Sequence, residues 1–141
     1  MFSKTSKYAI RVILYLATRE DPEQKMGAKT LAETLDIPVY FLAKVLQDLA
    51  RKGVISSNKG PGGGFYLNEE NLKNTIADVL TAVEGTELFS GCVLGFPTCS
   101  EKNPCPLHTQ VFTYREGLRY QLSHISIIDM ADRISRNHLK I

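Results

Sequence analysis

Apolar residues recur every three to four positions in three segments near the start of the chain, which is the spacing of one buried helix face. This pattern predicts helices over about residues 4–19, 28–35 and 38–52. Ser3 suits the N-cap of the first helix, and Pro38 suits the first turn of the third, where its missing N–H would have no partner in any case. Asp36-Ile37-Pro38 forms a tight turn between the last two helices, so this pair is a candidate helix-turn-helix.

A β-hairpin is predicted directly after the third helix. The β-prone segments Val54-Ile55-Ser56-Ser57 and Phe65-Tyr66-Leu67 flank the glycine-rich stretch Asn58-Lys59-Gly60-Pro61-Gly62-Gly63-Gly64. A hairpin in this place is the wing of a winged helix, and its glycines let backbone N–H groups approach a phosphate closely. The spacing of a nucleotide-binding phosphate loop is absent, which excludes that reading. A plain flexible turn is the alternative.

The second half of the chain combines helices with a long irregular segment. A helix is predicted over about residues 74–83, but residues 85–107 show neither helical nor strand spacing. A loop of this length is uncommon in a compact domain unless it is functional or disordered. The cysteines within it favour a loop that is ordered by a bound ligand.

A long helix and a short final helix are predicted after this loop. One face of the long helix carries the apolar residues Val111, Leu118, Leu122 and Ile125. Aromatic residues at positions 112, 114 and 120 extend apolar surface to its other faces. Because one helix with so much apolar area needs more than one neighbour, we expect it to pair with its twin in a homodimer; packing on its own domain alone is the alternative. Ser126 and Asp129 have the spacing of a capping box at the start of the final helix.

Charge is unevenly distributed along the 141 residues, whose formal net charge is +2. Residues 1–67 hold ten Lys/Arg against six Asp/Glu, and residues 68–141 hold seven against nine. A basic first half could face a polyanion such as DNA, and ordinary surface charge explains the excess equally well. The chain has no run of about 18 apolar residues and no signal-peptide pattern at its N-terminus, so the expectation is a cytoplasmic protein without membrane contact.

The chain's three cysteines, Cys92, Cys99 and Cys105, lie within 14 residues, and His108 follows three residues after the last. Thiolate and imidazole are the ligands that soft and borderline metals prefer, and three cysteines cannot all pair as disulfides within one chain. The loop is therefore predicted to hold a metal ion or an iron–sulfur cluster. A set of three cysteines and one histidine is also a structural zinc set, so zinc remains open. The other histidines, at positions 124 and 138, are expected on the surface.

The N-terminus of the long helix is expected beside the last cysteine. Pro106 suits the position N1, which would leave Cys105 near the N-cap and place His108 at N3, on the same face. The positive end of the helix dipole would lower the pKa of a nearby thiol and would favour an anionic cluster.

The sequence resembles the Rrf2 family of bacterial winged-helix regulators over nearly its whole length. The strongest match is Lys59-Gly60-Pro61-Gly62-Gly63-Gly64-Phe65-Tyr66-Leu67, the wing of that family. Further matching segments are Thr5-Ser6-Lys7-Tyr8-Ala9-Ile10-Arg11, Leu42-Ala43-Lys44-Val45-Leu46, Gly53-Val54-Ile55-Ser56-Ser57 and Ile125-Ser126-Ile127-Ile128-Asp129. The implied fold is mainly α with a small β-hairpin wing. It divides into a winged helix-turn-helix DNA-binding domain (residues 1–83), a cluster-binding loop (84–107) and dimerisation helices (108–141).

One branch of the family binds an iron–sulfur cluster through three cysteines in this loop. The resemblance therefore implies Cys92, Cys99, Cys105 and His108 as ligands, and a [2Fe–2S] cluster rather than a [4Fe–4S] cluster. The first gap of the spacing Cys-x6-Cys-x5-Cys-x2-His is one residue longer than is common in the family. Some members use an acidic residue near the N-terminus instead of histidine. The residue here is about Lys7, which cannot ligate while it is protonated.

DNA contacts are expected from the third helix in the major groove and from the wing at the minor groove. The candidates for base contacts, on the outward N-terminal side of that helix, are Val39, Tyr40 and Lys44. The wing-tip residues Lys59 and Gly60 resemble the place of a basic minor-groove contact in relatives. The candidates for phosphate contacts, for which plain surface charge is the alternative, are Lys7, Lys29 and Arg51.

These observations predict a homodimeric transcription regulator whose binding to a double-stranded operator depends on an iron–sulfur cluster that senses redox state, nitric oxide or iron. A zinc-binding or thiol-switched winged-helix regulator is the alternative. An enzyme with a Cys/His pair would need a pocket and a partner that orients the base. The sequence shows neither, so no enzymatic activity and no small-molecule substrate are predicted.

Overall fold

The computed structural model describes all 141 residues and contains eight helices and one two-stranded sheet. In chain order the elements are α1 (Lys4–Ala17), α2 (Ala28–Leu35), α3 (Val39–Arg51), β1 (Ser56–Asn58), β2 (Gly64–Tyr66), α4 (Glu69–Leu72), α5 (Ile76–Glu84), α6 (Glu87–Ser90), α7 (His108–Ser123) and α8 (Ile127–Asn137). The predicted fold class, mainly helical with a hairpin after a helix-turn-helix, is confirmed. None of these helices is both long enough and apolar enough to span a bilayer.

Helix α1 forms the centre of the core and follows the predicted pattern. The hydroxyl of Ser3 accepts a hydrogen bond from the backbone N–H of Ser6 at 3.1 Å, which makes Ser3 the N-cap. The apolar stripe Ala9, Val12, Ile13 and Leu16 is buried. This stripe packs against α3, α5 and α8. The helix ends at Ala17, two residues earlier than predicted, because Thr18 already has the C-cap position.

The helix-turn-helix is formed by α2 and α3. Asp36 makes the turn with a left-handed backbone (φ +53°), a conformation that aspartate tolerates better than most residues. Helix α3 begins at Val39, and Pro38 is its N-cap rather than its first helical residue. The buried side of α3 consists, as predicted, of Leu42, Val45, Leu46 and Leu49.

The wing is shorter than predicted because its first two residues belong to the core. Val54 and Ile55 are buried, and their backbone N–H groups both point to the carbonyl of Leu49 at the end of α3. Strand β1 then pairs antiparallel with β2 from Ser56 opposite Tyr66 to Asn58 opposite Gly64. The base of the hairpin is joined to the segment before α2 by two hydrogen bonds between Met26 and Phe65, of 2.9 and 2.8 Å.

A polar network that the sequence pattern does not reveal connects the wing to the single-turn helix α4. Asn71 is buried, and its Oδ1 accepts hydrogen bonds from the Ser56 hydroxyl at 2.7 Å and from the Asn68 backbone N–H at 3.0 Å. Its Nδ2 donates to the carbonyl of Gly53 at 3.2 Å. Asn68 returns a bond by accepting from the Asn71 backbone N–H at 2.8 Å. The network therefore fixes the turn after α3, the first wing strand and α4 to one another.

The C-terminal half differs from the predicted pattern at three helix starts. Helix α5 begins at Ile76, because Thr75 and Asp78 form a capping box. The segment predicted as an irregular loop contains the single turn α6, which buries Phe89. Helix α7 begins at His108 with Leu107 as its N-cap, so Pro106 is not at N1.

Helix α8 begins as predicted, with the Ser126–Asp129 capping box. It returns to the N-terminal half, where Ile127, Ala131 and Ile134 are buried and the helix contacts α1 and α4. Helix α7, in contrast, contains no buried residue. The aromatic residues Phe112, Tyr114 and Tyr120 of α7 are exposed in the single chain, whereas the predicted apolar face is half-buried. Ile125, which is predicted to belong to that face, lies beyond the end of α7 at Ser123 and is buried.

Candidate metal centre and nucleic-acid interface

The three cysteine sulfurs meet at one point between α6 and α7. Those of Cys92, Cys99 and Cys105 all lie within 4.8 Å of one another, and each side chain is half-buried. None of the three cysteines forms a disulfide. The sequence prediction that the loop gathers its thiols is therefore correct in geometry.

Three tight turns produce this arrangement. The carbonyl of Cys92 accepts from the N–H of Gly95 at 2.9 Å, and Ser100 and Asn103 exchange two backbone hydrogen bonds of 3.1 and 3.0 Å. The carbonyl of Cys105 accepts from the N–H of His108 at 3.0 Å, in a turn with Pro106 at its second position, where proline is favoured. Each turn reverses the chain next to a cysteine, so residues that are far apart in sequence converge.

His108 lies beside the three sulfurs but at N1 of α7, not at N3 as predicted. Its Nδ1 is 3.0 Å from the sulfur of Cys99. Its ring stacks on Phe112, with centroids 5.8 Å apart and planes 14° from parallel. Its Nε2 is buried and has no hydrogen-bond partner. The proline turn, rather than a shared helix face, therefore places His108 near Cys105.

The thiols differ in acidity. Burial raises the pKa of Cys92, but hydrogen bonds from the backbone of Phe96 and Leu94 and from the other two thiols outweigh it and bring its pKa down to about 7. Burial raises the pKa of Cys105, and the neighbouring thiols raise it further against a backbone hydrogen bond from Leu107. The pKa of Cys92 is thus lower than that of Cys105.

This donor set fits a metal ion or an iron–sulfur cluster. The three sulfurs lie within 4.8 Å of one another, and the Nδ1 of His108 lies 3.0 Å from one of them, so an imidazole nitrogen is available next to the thiols. Thiolate and imidazole are ligands of both zinc and iron–sulfur clusters. A bound cluster would supply one-electron redox chemistry, whereas zinc would only stabilise the loop.

An open cavity of about 910 Å³ lies on the other side of the cysteine loop. Its wall includes Met1 and Phe2 from the N-terminus, Cys92 and Cys99 from the loop, and Tyr114 from α7. The hydroxyl of Tyr114 lies 3.5 Å from the sulfur of Met1. The cysteine loop therefore adjoins both the start of α1 and the exposed side of α7.

The base-contact candidates of α3 share its exposed face. Tyr40 is 88% exposed and Val39 48% exposed, and Lys44 follows Tyr40 by one helical turn on the side opposite the buried leucines. Gln47 is also exposed and continues this face. The sequence prediction did not include Gln47, although its separation of three residues from Lys44 places it on the same helix face.

The other candidates for DNA contacts are exposed, but they differ in whether their charge is already paired within the chain. Lys59 and Gly60 are exposed at the wing tip, where Gly60 has a positive φ of +85°. Lys7 on α1 and Lys29 on α2 are exposed and take part in none of the ion pairs. Arg51 lies 2.5 Å from the carboxylate of Asp48, so a phosphate would compete with that carboxylate.

The Rrf2 family model, described as an iron-dependent transcriptional regulator, matches residues 2–133 of the chain. The chain belongs to the Rrf2 family. A relative from Aquifex aeolicus, named an HTH-type transcriptional regulator, is 39% identical over 110 residues, which cover 77% of this chain and 75% of the relative. The HTH-type transcriptional regulator IscR of Yersinia pseudotuberculosis is 24% identical over 126 residues, which cover 89% of this chain and 76% of IscR.

Solved structures of Rrf2-type regulators share the fold. CymR, the global cysteine regulator of B. subtilis, has a TM-score of 0.72 with this chain at 20% identity, and the match covers 94% of this chain and 96% of CymR. The named relatives are transcriptional regulators and repressors, not enzymes, in agreement with the sequence prediction. The chain is therefore a winged-helix, DNA-binding transcription regulator of the Rrf2 family with a three-cysteine cluster compatible with metal or iron–sulfur binding.

Proposed function

We propose that this Rrf2-family regulator is a homodimer that binds a double-stranded operator under the control of a [2Fe–2S] cluster held by Cys92, Cys99, Cys105 and His108. The observation that carries the proposal is the convergence of three sulfurs within 4.8 Å of one another, with the Nδ1 of His108 3.0 Å from the sulfur of Cys99. The description of the family as iron-dependent supports iron over other metals. A cytoplasmic location follows from the DNA partner.

The DNA-binding surface of this proposal is the exposed face of α3 together with the wing. Val39, Tyr40 and Lys44 contact base edges in the major groove, and Lys59 with Gly60 contacts the minor groove. The phosphate contacts come from Lys7, Lys29 and Arg51. The exposure of all eight residues supports this assignment.

The homodimer is formed through α7. Tyr114 is 58% exposed and Tyr120 is 59% exposed, and no residue of this helix is buried in the single chain. Light scattering after size exclusion should give the mass of two chains, and Tyr114→Glu should shift the equilibrium toward monomer. Ser135→Glu, an exposed position on α8, is the matched control. A wild-type monomer at micromolar concentration would refute the dimer.

The cysteine loop is connected to the DNA-binding half through Glu84, the last residue of α5. Its Oε1 accepts hydrogen bonds from the hydroxyl of buried Ser6 at 2.7 Å and from Ser3, the N-cap of α1. The loop begins at the next residue, so a change of order in the loop acts on the end of α5 and thereby on the start of α1. A tenfold change in operator affinity needs a coupling free energy of only about 1.4 kcal/mol.

This connection is tested by measuring operator affinity with and without the cluster. Glu84→Ala should keep the iron content of the wild type and reduce the ratio of the two affinities. Glu87→Ala, an exposed carboxylate on α6, should leave the ratio unchanged. An unaltered ratio in Glu84→Ala would show that the coupling takes another route.

The cluster itself is tested by anaerobic purification followed by visible absorption and metal analysis. The wild type should contain about two iron and two sulfide per chain. Stoichiometric zinc together with a colourless reconstituted protein would exclude the cluster. Binding-site selection on DNA with cluster-loaded and cluster-free protein then identifies the operator.

Cluster control is tested on that operator with serine in place of all three cysteines. The triple variant should no longer respond to loading or oxidation, and Thr98→Ala in the same loop should behave as the wild type. Unchanged operator occupancy of the triple variant in every oxidation state would contradict the proposal.

The alternative candidate is a zinc-binding or thiol-switched regulator. It is favoured by the same three sulfurs, which converge within 4.8 Å of one another without forming a disulfide. Closing a disulfide releases two protons and transfers two electrons to an external oxidant such as a peroxide. Metal content separates zinc from a cluster, and a diamide-dependent change in operator affinity without metal identifies the thiol switch.

A further inference from the structure

Arg115 is a half-buried cation next to the cysteine cluster. It lies on α7 seven residues after His108, which is two helical turns, so both side chains share one face. The same small enclosed space is lined by Arg115, His108 and the three cysteines. No sequence motif of the metal site includes this residue.

Arg115 makes one hydrogen bond to the first cysteine segment, and its buried Nε donor has no partner. Nη1 donates to the carbonyl of Gly91, the residue directly before Cys92. Nε is buried and has no partner. The guanidinium therefore anchors the chain at Cys92 and still offers an unused N–H inside the site.

Arg115 forms no ion pair with a carboxylate. The four ion pairs of the chain involve Arg51, Lys73, Arg119 and Arg136, and none involves Arg115. A buried charge without an opposite charge is unfavourable. Thiols that can become anionic line the same space, and the carboxylate of the adjacent Glu116 feels the charge of Arg115 but is hydrogen-bonded to Arg119. Arg119, one turn further along α7, is exposed and is paired with Glu116 at 2.8 Å.

We propose that Arg115 is a positioning residue of the metal centre, which fixes the Cys92 segment through Gly91 and provides the positive charge that balances the bound thiolates. This inference rests on the proposed metal-binding function and assigns a role to a residue outside the ligand set. Residues of this kind typically change metal affinity 10- to 100-fold when they are replaced. Loss of a positive charge beside a cluster also lowers its reduction potential.

The first test is a titration of reduced, metal-free, full-length protein with Co²⁺, whose thiolate complexes absorb visibly. Arg115→Gln should bind Co²⁺ at least tenfold more weakly than the wild type, and Arg115→Lys should recover part of the loss because it keeps the charge. Arg119→Gln is the matched control on the same helix and should bind as the wild type. Circular dichroism melting of each variant verifies that it is folded.

The outcomes distinguish this inference from the proposed function. If the wild type gives no thiolate–Co²⁺ absorption, both the proposed metal centre and the proposed role of Arg115 are refuted. If the wild type binds and Arg115→Gln binds equally well, only the role of Arg115 is refuted. Equal losses in Arg115→Gln and Arg115→Lys would refute the charge role.

A second readout responds to charge rather than to packing. In the reconstituted protein, the midpoint potential of Arg115→Gln should lie below those of the wild type and of Arg115→Lys. Identical potentials in all three proteins would overturn the proposed charge compensation. This measurement remains informative if Arg115→Gln folds poorly, because Arg115→Lys can be compared with the wild type alone.

Discussion

Replacing Asn71 by alanine is expected to destabilise the fold and to loosen the wing. The substitution removes the acceptor of the Ser56 hydroxyl and of the Asn68 backbone N–H, and the donor to the carbonyl of Gly53. Three hydrogen bonds to three different segments are lost at one buried position, although the Ser56 hydroxyl still accepts from the Nδ2 of Asn68 at 3.2 Å.

The magnitude follows from the number of groups left unsatisfied. A hydrogen bond contributes about 1 kcal/mol net, and a buried group left without a partner costs about 1–3 kcal/mol. The three groups here are only part-buried, so water can reach some of them. Alanine also gains a few tenths of a kcal/mol in helix propensity over asparagine. We therefore expect a loss of about 2–3 kcal/mol in the free energy of unfolding.

Urea unfolding followed by circular dichroism measures this loss. Asn137→Ala is the matched control, because Asn137 is exposed at the end of α8 and its side chain makes no hydrogen bond, and it should stay within about 0.5 kcal/mol of the wild type. In a double-mutant cycle with Ser56→Ala, the two residues should show a coupling energy of about 0.5 kcal/mol or more. A loss below about 0.5 kcal/mol in Asn71→Ala, or strictly additive changes, would refute the reasoning.

Three further changes test the wing, its anchorage and the final helix. Lys59→Ala should weaken operator binding and lower the salt slope by about one unit if its contact is to phosphate, and unchanged affinity across a salt series would contradict the wing contact. Gly64→Ala should cost at least about 1 kcal/mol in urea unfolding. Gly64 has a φ of +145°, and a Cβ there would lie 2.7 Å from the backbone of Met26, so an unchanged midpoint would contradict this packing. The pKa of Asp129 is lowered by hydrogen bonds from its N-cap serine. Its stabilisation is therefore present above the ordinary aspartate pKa and lost as pH falls through the lowered pKa, and Asp129→Asn should flatten the acid side of the melting-temperature profile.

The helices of the N-terminal half could be predicted because their apolar periodicity and their burial agree. The positions that deviate are those where the chain leaves a regular element. Val54 and Ile55 are β-prone, but the end of α3 takes them into the core before pairing begins at Ser56. Local β propensity does not show that these residues pack into the core. The single-turn helices α4 and α6 likewise could not be predicted from local propensity.

The metal centre shows the same division between what the local sequence specifies and what the fold adds. Residue type and spacing were sufficient to nominate three thiols and an imidazole, since few other arrangements place four soft donors in one loop. The predicted start of α7 was wrong because proline is favoured both at N1 of a helix and at the second position of a turn. Pro106 occupies the second position of the turn, and α7 begins at His108.

Arg115 could be recognised only after the loop had a position in space. Its separation from His108 is a helical repeat, but nothing in the sequence indicates that the cysteine loop folds back onto that face of α7. Once the loop lies there, the guanidinium of Arg115 donates to the carbonyl before Cys92, and this half-buried cation lines the same cavity as the three thiols. Spacing could therefore nominate the four candidate ligands, whereas the proposed role of Arg115 depends on the packing of one segment on another.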